Sequence, residues 1–294
     1  MNLIYSGESG LLKRQTAENK AREFLAGENL DVSSDFLLIE PEESGNLKIE
    51  QIDVIRDFVS MKAIRADKKV VLIDKMETAS VAFQNALLKF LEDNASHCHF
   101  LLVTEVRLLD TVNSRCVNYH MKRSGEAEMK SFIREKGIPE DSLALAVAGG
   151  RPVVYEQLVS GSEKEFLAEI KNFVDAFKGI GQNPKVLFEN LGLVKESGTT
   201  FFDSHSKEEV DLFLEFVRNL FIGVLYNEIG AGECSMQGVL DFATFGKRYS
   251  VSCLIAIYER CEEDRNRMRK KGMYTKNDFF DFFRFVYDLI KGKE

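Results

Sequence analysis

The chain has 294 residues, 45% hydrophobic and 29% charged, with a formal net charge of −8; that length buries a sizeable core in two or three domains, and the acidic balance disfavours nonspecific DNA binding over the whole surface. No apolar run is long enough to span a bilayer, and Glu8 and Lys13 interrupt any secretory pattern at the start. Five cysteines, odd in number and without paired spacing, argue against a disulfide framework, so a cytoplasmic protein in a reducing compartment is expected.

The first 120 residues alternate between strand and helix patterns. NLIYSG is a short apolar run closed by Gly7, and LLKRQTAENKAREFLAG carries Ala17, Ala21, Phe24 and Leu25 at helical spacing. DFLLIEP predicts a strand stopped by Pro41. KIEQIDVIRDFVSMKA predicts a helix with Ile49, Ile52, Ile55, Phe58 and Val59 on one face. KKVVLIDKM and HFLLVTEV are continuous apolar runs of the kind covered on both faces, and TASVAFQNALLKFLEDNA between them is a strongly amphipathic helix. Such alternation predicts a parallel sheet flanked by helices. From about Ser124 the pattern turns helical: first short segments punctuated by Gly and Pro, then four long ones from Glu163. The last of these, KNDFFDFFRFVYDLIKG, is apolar around much of its circumference and is expected to be buried within the chain.

GESGLLKR, Gly7 to Arg14, half-matches the phosphate-binding pattern G-x-x-x-x-G-K-[ST]. Gly7, Gly10 and Lys13 are its remaining elements. Leu12 stands where a glycine lets the backbone approach phosphate, and Arg14 where a hydroxyl would ligate magnesium, which a cation cannot do. Asp74 ends the VVLID run in the position of a metal-coordinating aspartate, but Lys75 follows it where a water-activating acid would stand, so Asp74 is expected to cap the strand or next helix. Thr104 ends the next run in the place of a phosphate sensor, although strand-end threonines are common. In TVNSRC, the segment Ser114, Arg115 and Cys116 follows the sheet's last strong strand; its arginine is either a plain surface residue or a finger offered to a neighbour's nucleotide. RNRMRKK, Arg265 to Lys271, sets five positive charges in seven residues, and is expected to be a solvated helix face answering Glu262 to Asp264. His97 and His99 alternate across a strand, and no metal site is expected there.

Lys69 to Cys116 resembles the δ′ subunits of the bacterial DNA polymerase III clamp loader, and the related γ/τ subunits, in order and spacing: a strand ending in Asp74, the helix NALLKFLED, a further strand, then TVNSRC. AVAGGRPVVYEQL, Ala146 to Leu158, extends the resemblance loosely. It implies an AAA+ P-loop-like parallel sheet domain over residues 1–120 with a degenerate loop, a small helical lid over 121–162 and a helical collar over 163–294. It also implies a non-hydrolysing subunit that assembles with γ/τ and δ, meets the sliding clamp and primer–template DNA through the complex, and offers Arg115 in trans to a neighbour's ATP. No cofactor is implied: ATP binding would be weak or absent, no cysteine precedes Cys98 to build the zinc module of many relatives, and no helix leads into the first strand to supply adenine contacts. The lid's nucleotide-sensing arginine would fall at about Pro152, one position from Arg151. The competing readings are an active ATPase with an atypical loop, a δ-type clamp-opening subunit, and a stand-alone DNA-binding protein using Arg265 to Lys271.

Overall fold

The computed structural model describes residues 1–93, 97–161, 163–179, 201–229, 239, 250–269 and 274–291. The chain divides into two compact units, Met1–Arg123 and Ser124–Glu294. In the first, β1 (Asn2–Ser6), β2 (Phe36–Ile39), β3 (Lys69–Ile73), β4 (Cys98–Thr104) and β5 (Val117–His120) form one sheet in the order β2-β3-β4-β1-β5, every pairing parallel. Alternating side chains split its core into two layers. Leu3, Tyr5, Val70, Leu72, Leu101 and Val103 meet Ala17, Ala21 and Leu25 of α1 (Lys13–Phe24). Ile4, Val71, Ile73, Phe100 and Leu102 meet Ile52 and Ile55 of α2 (Gln51–Ser60), with Phe83, Leu87 and Phe90 of α3 (Val81–Asp93). Both faces are covered, which is why β3 and β4 read as unbroken apolar runs.

Two local features depart from expectation. Helix α2 begins at Gln51, so Ile49 lies before it and is 43% exposed instead of sharing its buried face. The second departure is the pair that ends the sheet unit: the single turn α4 (Asp110–Asn113) and the edge strand β5, whose four residues are all exposed.

The second unit is helical throughout its described residues: α5 (Glu126–Lys136), α6 (Ser142–Ala148), α7 (Pro152–Ser160), α8 (Lys164–Gly179), α9 (Phe201–Ser204), α10 (Lys207–Ile229), α11 (Val251–Arg269) and α12 (Lys276–Lys291). The helices expected as lid and as collar thus fall within one unit. Their boundaries follow ordinary chemistry. Glu128 accepts from the Gly125 N–H at the start of α5, Asp141 accepts from Ala144 N–H at 2.8 Å to cap α6, and Pro152 occupies the first turn of α7, where its missing donor costs nothing. Phe279, Phe282 and Phe283 of α12 are buried inside the unit; Phe279 and Phe283 lie 5.0 Å apart edge to face, and Phe173 of α8 meets Phe213 of α10 at the same separation.

Candidate functional site

The loop from Gly7 to Leu12 leaves the carboxyl end of β1 and runs into α1, beside the carboxyl ends of β3 and β4, where open parallel sheets place their ligand sites. Gly7 is fixed by its surroundings: φ is +145°, and a Cβ would lie 2.6 Å from the Met121 carbonyl oxygen. Glu8 is held from outside the loop by Arg123, whose Nε and Nη2 donate to its two oxygens at 2.5 and 2.7 Å.

Lys13, 5% exposed, turns back on the loop itself. Its Nζ donates to the carbonyls of Gly7 at 2.8 Å and Glu8 at 2.5 Å, and lies 3.8 Å from Glu105. A phosphate cradle presents backbone N–H groups inward and leaves the lysine for the anion. Here the loop presents two acceptors to the lysine instead. Burial draws the Lys13 pKa down, opposed by the carboxylates of Glu105, Glu77, Asp74 and Glu8.

Arg14 reaches across the front of the strands. Its Nε donates to Glu18 at 2.9 Å, while Nη1 binds Glu40 and lies 3.3 Å from Oδ2 of buried Asp74. The other Asp74 oxygen accepts from the Lys75 N–H at 2.8 Å, where the backbone is left-handed. Asp74 therefore closes the strand end, as the sequence suggests, and also meets a guanidinium. Thr104 Oγ1 donates to the Val106 carbonyl and accepts from the Val106 N–H, so its hydroxyl is engaged in its own turn.

Glu77 and Glu105 are members of this cluster that the sequence did not reveal. Glu77 lies in the short 3-10 turn Met76–Thr78 and accepts from the Glu105 N–H at 3.1 Å. Burial raises its pKa, with the Glu105 carboxylate adding to the rise and Lys13 opposing it. No motif position marks it, because a left-handed residue and a tight turn bring it back toward Lys13.

Ser114, Arg115 and Cys116 follow α4 and enter β5. The guanidinium of Arg115 is paired with Glu92 on the last turn of α3, Nε donating at 2.5 Å, and Nη1 donates to the Thr111 carbonyl at 2.7 Å. An exposed pair of this kind contributes on the order of 0.2–1 kcal/mol. Ser114 Oγ donates to the Thr111 carbonyl. Cys116 is half-buried against the sheet core, and burial pushes its thiol up to about 12.

In the helical unit, Arg151 is buried, its Nε donating to the Ala148 carbonyl at 2.8 Å and its Nη2 3.4 Å from Glu215 of α10. Glu215 also accepts from Arg265 Nη2 at 2.7 Å, and Arg265 Nε donates to Asp211 at 2.9 Å. The expectation of a solvated basic face over Arg265 to Lys271 is thus corrected: Arg265 is 3% exposed at the centre of an ion-pair network, and Arg267 binds Asp278 at 2.5 Å. Lys270 and Lys271 lie outside the described residues.

The family model described as "DNA polymerase III, delta subunit" matches residues 7–125. The chain is 24% identical to the DNA polymerase III subunit δ′ of Pseudomonas aeruginosa over 92% of this chain and 86% of that protein. It is 30% identical to the δ′ subunit of Haemophilus influenzae over 49% of this chain and 44% of that one. Against the τ subunit of Escherichia coli the identity is 38%, over 37% of this chain and 18% of the relative. Among solved structures, a DNA polymerase III γ subunit-related protein from Thermotoga maritima superposes with a TM-score of 0.52 at 15% identity, covering 99% of this chain and 95% of the other, which establishes a shared fold. The chain thus shares its fold with a clamp-loader-related protein, and its sheet unit is similar in sequence to the DNA polymerase III delta family. The relatives of this sequence include DNA polymerase III δ′ subunits and, over shorter stretches, γ/τ subunits.

Proposed function

We propose that this chain serves a clamp loader in DNA replication without hydrolysing ATP itself, and that it lends Arg115 to the nucleotide of a neighbouring γ/τ-type subunit. The observation that carries the reading is Arg14 on Asp74. A guanidinium lies against the carboxylate that would hold magnesium, and two carbonyls engage the lysine that would meet phosphate. Binding Mg-nucleotide here would require breaking both arrangements and stripping Arg14 from its carboxylates. Gly7, Gly10 and Lys13 are then the remains of a loop, and Arg115 is the group left for chemistry, acting on charge that develops on a phosphoryl group held by another subunit.

In this reading residues 121–162 act as a lid and 163–294 as a collar that holds γ/τ and δ in a ring, and the sliding clamp and primer–template DNA are met through the assembled complex. The work belongs to the cytoplasm, and among the described residues no helix is long and apolar enough to cross a membrane.

The test is reconstitution with γ/τ- and δ-type partners and measurement of ATP hydrolysis stimulated by clamp and primed DNA. Arg115→Ala is expected to lower the stimulated rate by about 10³-fold, the low end of an arginine finger's contribution, if the arginine completes the only productive site, and by the share of that site otherwise. Assembly is unchanged, and the purified chain alone is silent. Hydrolysis by the purified chain that Lys13→Ala abolishes would overturn the reading.

A further inference from the structure

Arg115 is anchored differently at its two ends. Its backbone is tied into the unit: the Arg115 N–H donates to the Val112 carbonyl at 3.1 Å, and the side-chain amide of Asn2, 8% exposed, donates both to the Arg115 carbonyl at 3.2 Å and to the Leu91 carbonyl at 2.9 Å. One buried amide thereby fixes the start of the arginine against the last turn of α3. The guanidinium is held next door by Glu92 from that same turn, but at the surface: the two side chains are 35% and 49% exposed. Nε and Nη2 both face one carboxylate oxygen, while Nη1 donates to the Thr111 carbonyl and, at 3.2 Å, to Ser114 Oγ.

We infer that Glu92 is a latch that holds the guanidinium of Arg115 on its own subunit and releases it to a neighbour's phosphate. The inference rests on the trans-arginine reading above. A phosphoryl oxygen and a carboxylate oxygen compete for the same N–H fork, so both cannot take Nε and Nη2 together. A fixed base limits the movement to the side chain. A solvent-exposed pair is weak enough for a second anion to displace it, whereas the buried Arg265–Glu215 pair of the helical unit is not. Glu92 also neutralises the guanidinium in the free subunit, so that loose anions gain little by binding there. It acts through Arg115 and is a positioning residue.

The experiment uses the full chain with its γ/τ-type partner, loaded with ADP or with a non-hydrolysable ATP analogue, and reads the ratio of the two dissociation constants. Glu92→Gln keeps the size of the side chain and removes its charge. It is expected to widen the ratio about two- to fivefold, the worth of an exposed ion pair of ordinary strength, while the affinity for nucleotide-free partner stays fixed. Glu92→Ala should shift the ratio in the same direction, and Glu92→Asp should leave it near wild type. The gain must vanish in the Glu92→Gln, Arg115→Ala double variant. A ratio that is unchanged or narrower in Glu92→Gln overturns the latch and leaves the trans-arginine reading standing. If Arg115→Ala itself keeps the wild-type ratio and hydrolysis rate, the underlying reading fails instead.

Discussion

Asp35 and Glu77 are carboxylates withdrawn from water in the same unit, and their neighbours drive their protonation in opposite directions. Burial acts on Asp35 to raise its pKa, but N–H donors from Ile64, Arg65 and Ala66 at 2.7–2.9 Å hold it below its ordinary 3.8. Its contribution to stability is present above that ordinary value and is lost as pH falls through the depressed one. Asp35→Asn is therefore expected to cost about 2–3 kcal/mol at pH 7, the loss of charge-assisted bonds to three backbone donors, with the difference closing as acid protonates the wild type. Denaturant midpoints of both chains between pH 3 and 7 check this. Glu77 receives a single backbone donor from another residue, Glu105, and faces that residue's carboxylate, so burial prevails and its pKa rises above 4.5. The folded state then binds the proton more tightly than the unfolded chain, and stability falls as pH climbs from the ordinary value through the raised one. Glu77→Gln removes that penalty while keeping an acceptor for the Glu105 N–H. The variant's midpoint should exceed wild type at pH 7 and converge with it at low pH; a loss at pH 7 would show instead that the Lys13 contact dominates.

At the scale of elements, the helical unit has two kinds of joint. Phe283 of α12 meets Phe173, Phe213 and Phe279 with ring centroids 5.0–6.2 Å apart, so Phe283→Ala should cost about 3–5 kcal/mol, read as a lowered midpoint with the helical signal retained before unfolding. The second joint binds α11 to α10 through Arg265. Arg265→Met leaves Asp211 without its bidentate partner and strips Glu215 of one of its cations, so a loss of about 3–5 kcal/mol is expected. The aromatic joint was legible in the sequence because five phenylalanines crowd one helix; the ionic one was not. Arg265 reads as surface beside Glu262, Glu263 and Asp264, since its partners lie 50 and 54 positions away. The same contrast runs through the sheet unit. Val70 to Ile73 and Leu101 to Val103 declare buried strands by composition, whereas Val117–His120 offers only the short alternation of Val117 and Tyr119, both half-exposed on an edge strand. Gly7, Lys13, Asp74 and Arg115 were legible as types at fixed spacing. What they touch was not: Glu92 pairs with Arg115 across 23 positions, and Arg14 with Asp74 across 60, distances that only the topology closes.

At the scale of the whole chain, the proposed trans arginine and the proposed assembly surfaces fall in different units, each with buried apolar residues of its own. Residues 1–123 bury apolar side chains on both faces of a complete five-stranded sheet, and every contact that holds Arg115, from Asn2 to Glu92, lies among them. The described residues of the second unit bury the aromatic cluster and the Arg151–Glu215–Arg265 network. Compact units with apolar cores of their own are expected to fold alone. On the proposed collar assignment, the two fragments should divide the function. Residues 124–294 should join γ/τ- and δ-type partners on a sizing column, and residues 1–123, though folded, should not. Adding the sheet fragment to the partners and the helical fragment should leave stimulated ATP hydrolysis low, because Arg115 is present but its position is no longer enforced by the covalent chain. Recovery of the full rate with unlinked fragments would mean that the sheet unit finds its neighbour by its own surface, and the ring would then be held at two levels instead of one.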